Sequence, residues 1–307
     1  MKGIVAKSTG SWYHVRNMDS GNTLMCRTKG KLRLDDSKHT NPVTVGDIIF
    51  YEMEPGQETG VISGVEPRRN YVIRKASNLS KQTHILASNM DQAALIVTLA
   101  FPMTSLGFID RFLTTTEAYH IPALLVLNKA DLLVGELADV ADEVQALYEG
   151  IGYPVIRTSA KNNTGIEVLR NRVQQKTTLF CGHSGVGKST LLNTIDPQLH
   201  IKTSEISGYH LKGQHTTTFA EMHPLSMGGY IIDTPGIREF GLVDVQGAEI
   251  SHYFIEMRPY ISQCKFNNCT HTQEPGCAIK EAVKNGAISE QRYQSYLSLY
   301  ANLDLYA

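Results

Sequence analysis

No stretch of this sequence approaches the about 20 consecutive apolar residues that a membrane-spanning helix needs, and the longest candidate, residues 93–101, has the length of a strand. A membrane-spanning role is excluded. The opening residues MKGIVAKSTGSWYHV contain no apolar signal core and alternate as a strand does, so nothing in them marks the chain for export and the expected compartment is the cytoplasm. Net charge is also almost missing: 29 Lys and Arg stand against 30 Asp and Glu in 307 residues. Tryptophan occurs once and cysteine five times, an odd number that cannot pair off completely. Three of the cysteines, Cys264, Cys269 and Cys277, fall in one short stretch, which in a reducing compartment points to metal rather than disulfides. Cys26 and Cys181 stand alone and read as small core residues. The rest is the composition of an ordinary globular protein, long enough for about two domains of ~150 residues.

The balance of charge hides an uneven distribution. Residues 1–75 carry 12 basic against 8 acidic side chains, 76–243 carry 12 against 15, and 244–307 carry 5 against 7, so only the first part is basic. That part is expected to form short strands at 3–15, 24–34, 47–53 and 60–65 with turn residues between them, a small antiparallel barrel or sandwich. Along 27–34 alternate side chains share a face, which places Arg27, Lys29, Lys31 and Arg33 in one stripe and Leu32 and Leu34 on the opposite side. A four-cation stripe suits a polyanion such as RNA; a solvated strand face is the bland alternative. Trp12 and Tyr13 can equally be base-stacking or core residues.

Beyond residue 68 the pattern changes. A polar linker is expected over 68–91, followed by strand-like runs at 93–101 and 123–127 around a helix at 108–119. Strands at 153–158, 177–181 and 230–232 then alternate with helices near 139–150, 165–174 and 188–195, which implies an α/β domain with a parallel sheet. The last helix, 289–303, puts Tyr293, Tyr296 and Tyr300 on one face, either to pack on the cysteine-rich segment or to stack on RNA.

The sharpest motif is Gly182-His183-Ser184-Gly185-Val186-Gly187-Lys188-Ser189, followed by Thr190, between a strand and a helix. Its glycines let backbone N–H groups close around phosphate oxygens at a helix N-terminus, Lys188 reaches the β- and γ-phosphates, and the Ser189 hydroxyl suits magnesium. Asn128-Lys129-Ala130-Asp131 follows another strand, where the Asp131 carboxylate accepts from the ring N–H and the amine of guanine, a donor pair that adenine lacks. Ser159-Ala160-Lys161 follows the next strand, with the Ala160 N–H placed for the guanine carbonyl. Asp233-Thr234-Pro235-Gly236 supplies an aspartate for water-mediated magnesium binding and a glycine N–H for the γ-phosphate. The hydroxyl-rich Gly213-Gln214-His215-Thr216-Thr217-Thr218 can close over the magnesium, with Thr217 or its neighbour Thr216 as ligand.

These are the five elements of a GTPase in an unusual order, since the two base-recognition motifs precede the phosphate loop. Their cyclic sequence is preserved, so the same sheet forms if the usual termini are joined through 165–174 and the chain is opened beyond Asp233. The domain is expected to be circularly permuted, with everything after it attached to the segment that responds to the γ-phosphate. Glutamine commonly follows DxxG to orient the attacking water, but here that position is Ile237, and His215 is the candidate for the task. Cys264, Cys269, His271 and Cys277 offer three thiolates and an imidazole to one tetrahedral zinc; four protein ligands make it structural rather than catalytic.

With the permuted order, the GQHTTT segment, the basic barrel in front and the Cys/His cluster behind, the chain resembles the ribosome small subunit-dependent GTPase family, RsgA, also called YjeQ. The resemblance implies an N-terminal OB-fold over 1–68, a central permuted GTPase domain over 69–243 and a small helical zinc domain over 244–307. It further implies late maturation of the small ribosomal subunit, contact with 16S rRNA and subunit proteins, and GTP hydrolysis with magnesium that the subunit stimulates. The expected protein is monomeric and cycles between GTP and GDP. Other readings are a permuted GTPase of large-subunit assembly, a GTP-gated RNA-binding module, and a zinc-stabilised RNA-binding protein with a vestigial pocket.

Overall fold

The computed structural model describes residues 1–28, 42–75, 83–202, 220–233 and 245–301. Five strands, β1 (Lys2–Ser8), β2 (Tyr13–Asn17), β3 (Thr23–Thr28), β4 (Ile48–Met53) and β5 (Gly60–Val65), join in the order β1-β2-β3-β5-β4, and β4 pairs back onto β1. Closure with β3 parallel to β5 and the other pairs antiparallel is the five-stranded OB arrangement. Alternate side chains fill the barrel, among them Val5, Val15, Cys26, Ile49 and Ile62, all at 0 % exposure. The single strand expected over 3–15 is two strands: the Thr9 N–H donates to the Trp12 carbonyl at 2.9 Å and Gly10 takes φ +91°. Tyr13 belongs to the core, whereas Trp12 lies at the turn and is exposed.

The linker expected over 68–91 is instead a hairpin, β6 (Tyr71–Lys75) and β7 (Thr83–Ser88). It is fastened to the barrel through Asp47, which is wholly buried. The Arg68 guanidinium donates to both Asp47 oxygens at 2.7 Å, the Ser88 hydroxyl donates at 2.6 Å and the Thr44 N–H at 2.8 Å. At Gly46, with φ +92°, a Cβ would stand 2.1 Å from the Ser88 carbonyl oxygen, so only glycine permits this approach. Residues that look like a solvated linker are those that satisfy a buried carboxylate.

Next come β8 (Gln92–Val97), β9 (Ala123–Leu127), β10 (Val155–Arg157), β11 (Thr177–Cys181), β12 (Glu221–Pro224) and β13 (Tyr230–Asp233), in the order β10-β9-β8-β11-β13-β12. All these pairings are parallel except β12 with β13. Helices α1 (Leu106–Ala118) and α2 (Glu136–Ile151) cover the face that bears Ala93, Leu95 and Val97. Helices α3 (Ile166–Val173) and α4 (Lys188–Ile195) cover the face that bears Ala94 and Ile96. A strand covered on both sides buries every residue, which is why β8 reads as a continuous apolar run after Gln92. Strand β12 has one buried side chain, Met222, and was not visible as a strand. It pairs with β1, so barrel and parallel sheet form one continuous 11-stranded sheet.

The C-terminal part contains short 3-10 turns, then α5 (Arg258–Ile261), α6 (Ala278–Lys284) and α7 (Glu290–Ala301). It is held on α1 by a buried ionic cluster in which Arg292 donates to Asp110 at 2.8 Å and to Glu256 at 2.6 and 3.1 Å. The Tyr148 hydroxyl of α2 also donates to Asp110, at 2.8 Å. Burial opposes the Arg292 charge, but Glu256 and Asp110 outweigh it and keep its pKa above the ordinary value. No helix among the described residues is long and apolar enough to cross a membrane.

Candidate nucleotide site and metal centre

The loops that follow β8, β9, β10 and β11 meet, beside the end of β13, at the C-terminal edge of the parallel sheet, where open α/β sheets bind ligands. Asn128, buried after β9, donates from Nδ2 to the Val186 carbonyl of the phosphate loop at 2.8 Å and accepts from the Thr158 hydroxyl at 3.0 Å. One side chain thus ties the base-recognition loop, the loop after β10 and the phosphate loop together. Gly187 has φ +87°, and a Cβ there would stand 2.8 Å from Asn128 Nδ2, so the phosphate loop closes on Asn128 only with glycine at that point.

Lys129 has φ +60°, which sends its side chain back across the phosphate loop; its ammonium donates to the Gly185 carbonyl at 2.8 Å and to the Phe101 carbonyl. Ala130 donates its N–H to the Thr158 carbonyl at 2.9 Å. Asp131 accepts from the Ser159 hydroxyl at 2.6 Å and stands 3.9 Å from the Lys161 ammonium. The Ser159 hydrogen bond, aided by the charges of Lys161 and Lys129, holds the Asp131 carboxyl below its usual range against the cost of burial. Lys188, at the first turn of α4, forms an ion pair with Asp233 at the end of β13. Ser189 and Thr190 occupy the same turn, with Ser189 half-buried and Thr190 exposed.

Some neighbours were missed in the sequence. His183 packs its ring 3.9 Å from that of Phe108 on α1, and Pro102 lies against Gly185. Only a lone proline and phenylalanine signalled this wall. Gly236, His215, Thr216 and Thr217 lie outside the described residues, as do Lys29, Lys31 and Arg33. Of the expected cationic stripe Arg27 alone is described, and it forms an ion pair with Glu54, so it presents less free charge than expected.

At the other end of the chain the Cys264, Cys269 and Cys277 sulfurs and a nitrogen of His271 all lie within 4.8 Å of one another. His271 Nδ1 is 3.5 Å from Cys264 Sγ and 3.4 Å from Cys277 Sγ. A tetrahedral ion with bonds of about 2.3 Å to sulfur and 2.0–2.1 Å to nitrogen has S···N edges of about 3.5 Å, so the spacing fits a Cys3His ion. The loop is braced from outside. The Tyr293 hydroxyl donates to the His271 carbonyl at 2.7 Å and the Tyr296 hydroxyl to the Thr270 carbonyl at 2.6 Å, so this face of α7 packs on the loop. Glu274 gathers the Thr270 hydroxyl and the Thr270 and Thr272 N–H groups, which pull its carboxyl down to about 2 despite partial burial.

A phosphate loop, an Asn-Lys-x-Asp loop and an Asp-x-x-Gly strand end, on a parallel sheet entered at the fourth of the usual motifs, define a circularly permuted P-loop GTPase. The RsgA GTPase family model matches residues 65–243 and that of the RsgA N-terminal domain residues 2–62. The chain belongs to the RsgA GTPase family. It is 52 % identical over 299 residues to a protein of Phocaeicola vulgatus named small ribosomal subunit biogenesis GTPase RsgA, with 97 % of this chain and 96 % of that one covered. It also superposes on the crystal structure of YjeQ from Thermotoga maritima with a TM-score of 0.81 at 34 % identity, covering 98 % of each chain. A further likeness, with a TM-score of 0.74 at 29 % identity over 99 % of this chain and 94 % of the other, is to YloQ, described as a circularly permuted GTPase.

Proposed function

We infer that this GTPase serves late assembly of the small ribosomal subunit in the cytoplasm and that the subunit stimulates its hydrolysis of GTP. The observation that carries the reading is the joining, in one sheet, of an OB barrel of the kind that binds RNA to a nucleotide site assembled around Asn128. The name of the Phocaeicola vulgatus relative supports the same biological setting. Asp131 selects guanine, Lys188 and the phosphate-loop N–H groups bind the phosphates, and Ser189 with Thr216 or Thr217 would hold magnesium, with Asp233 acting through water. Magnesium neutralises charge on the β- and γ-phosphates when bound. Zinc at Cys264, Cys269, His271 and Cys277 is structural, and the domain limits are 1–68, 69–243 and 244–307.

Turnover measured with and without purified subunits, together with co-sedimentation in GDP and in a non-hydrolysable GTP analogue, tests the reading. Stimulation by small but not large subunits, and retention in the GTP-analogue state, is expected; equal rates throughout would refute it. The same sedimentation over a salt series addresses Arg27, Lys29, Lys31 and Arg33, whose contact with rRNA phosphates we include in the reading. Reversing two of these charges should flatten the salt dependence, because fewer counterions are released.

His215 is assigned the orientation of the attacking water, since Ile237 can neither donate nor accept a hydrogen bond. His215→Ala should bind GTP and the subunit normally and lose the stimulated rate by about 100-fold or more. A near-normal single-turnover rate would move the role elsewhere.

A further inference from the structure

The seam between barrel and parallel sheet carries a row of four charges, of which the nucleotide chemistry above uses only Asp233 and Lys188. Lys7 on β1 lies directly opposite Glu221 on β12, and Glu221 lies directly opposite Asp233 on β13. Opposed residues of antiparallel strands point to one face with Cβ atoms about 4.5–5.5 Å apart. Three consecutive strands therefore set Lys7, Glu221 and Asp233 side by side, and Lys188 ends the row through its pairing with Asp233. The order of charges is plus, minus, minus, plus. The Lys7 ammonium stands 3.0 Å from a Glu221 oxygen, and the next register pair, Met222 with Ile232, is buried and anchors the strands.

Carboxylates directly opposite one another repel, and here each is answered by the lysine on its outer side. Nucleotide upsets this balance, because phosphate oxygens claim Lys188. Asp233 is then left beside Glu221 at the point where it has to serve hydrated magnesium. The long Glu221 side chain has two directions open to it, toward Lys7 or toward Asp233 and the ion.

We propose that Lys7, a residue of the barrel, is a positioning residue of the nucleotide site: it holds Glu221 on the barrel side and so keeps Asp233 free for magnesium. This rests on Asp233 being the magnesium-side carboxylate. It makes attachment of the barrel to β12 felt as the magnesium dependence of nucleotide binding, and it ties the RNA-facing domain to the phosphate chemistry through one ion pair.

The test uses the full-length protein and fluorescently labelled GDP, titrated in magnesium and in EDTA, with the ratio of the two affinities as readout. Lys7→Ala should lower that ratio by about two- to fivefold while leaving the affinity in EDTA unchanged. Adding Glu221→Gln to Lys7→Ala should return it to the wild-type value, because a neutral amide does not crowd the ion. A double variant as low as Lys7→Ala would mean that the lysine merely fastens the barrel, and an unchanged ratio in Lys7→Ala would likewise overturn the proposal. Asp233→Asn separates the two levels. If it keeps the wild-type ratio, the magnesium reading of Asp233 fails and takes the proposal with it; if it loses the ratio while Lys7→Ala does not, only the role of Lys7 is refuted.

Discussion

In the proposed function, base choice rests on one carboxylate, that of Asp131. Replacing Asp131 by Asn leaves the guanine donors unpaired in a partly buried pocket, a loss of about 1–3 kcal/mol. Asp131→Asn is therefore expected to weaken GTP binding roughly tenfold or more and to favour xanthosine triphosphate, whose base has an acceptor in place of the amine. Unchanged GTP affinity in a direct titration would remove Asp131 from the base pocket. The Ser159 hydroxyl at 2.6 Å holds the Asp131 carboxyl below its usual range, so its contribution is complete above the ordinary carboxylate pKa and is lost as pH falls through the lowered value. Ser159→Ala should raise that pKa and bring the acid loss of GTP binding to a higher pH, read from affinity measured across a pH series.

Among the elements, the metal loop and the helices beside it are the least able to stand alone. Helix α6 has 7 residues and α7 has 12, whereas isolated helices shorter than ~12–15 residues are marginal in water. A bound ion contributes folding free energy directly to so small a unit. Cys269→Ser should loosen the segment from residue 245 onward and weaken subunit binding, while GTP affinity stays largely intact because the nucleotide loops belong to the separate parallel sheet. Limited proteolysis beside a GTP titration checks both halves. Elemental analysis without stoichiometric zinc would refute the structural-metal reading.

At the scale of the molecule, three units are joined by buried charge as well as by apolar contact. Asp47 with Arg68 fastens the hairpin to the barrel, and Arg292 with Asp110 and Glu256 fastens the C-terminal part to α1. A buried pair is weak evidence for net stability, but removing one partner strands the other charge at a cost of about 3–5 kcal/mol. Arg292→Ala should accordingly lower stability by about that amount in urea unfolding and release the C-terminal part to proteases first. Because α1 also carries Phe108, which packs on His183 of the phosphate loop, the same helix touches both the phosphate loop and the part that carries the Cys3His group.

The phosphate loop, the base-recognition motifs, their permuted order and the Cys3His set were legible in the linear chain. Each needs particular residue types at fixed short spacing, because a backbone cradle for phosphate or a tetrahedron of ligands is built from neighbours along one loop. The parallel strands were legible for a related reason: burial on both faces leaves apolar runs such as β8. Tertiary structure alone decided which distant polar residues answer one another. Asp47 with Ser88, Asp110 with Arg292, and Lys7 with Glu221 are separated by 41, 182 and 214 positions. In the sequence such an aspartate or lysine looks the same whether water or protein solvates it. The cost of burying it is set by the partner that the fold delivers, and that partner has no local signature. The hairpin strands β6 and β7 and strand β12 were hidden for the same reason: Ser88 and Glu221 are paired across the fold, and pattern alone reads their segments as solvated chain.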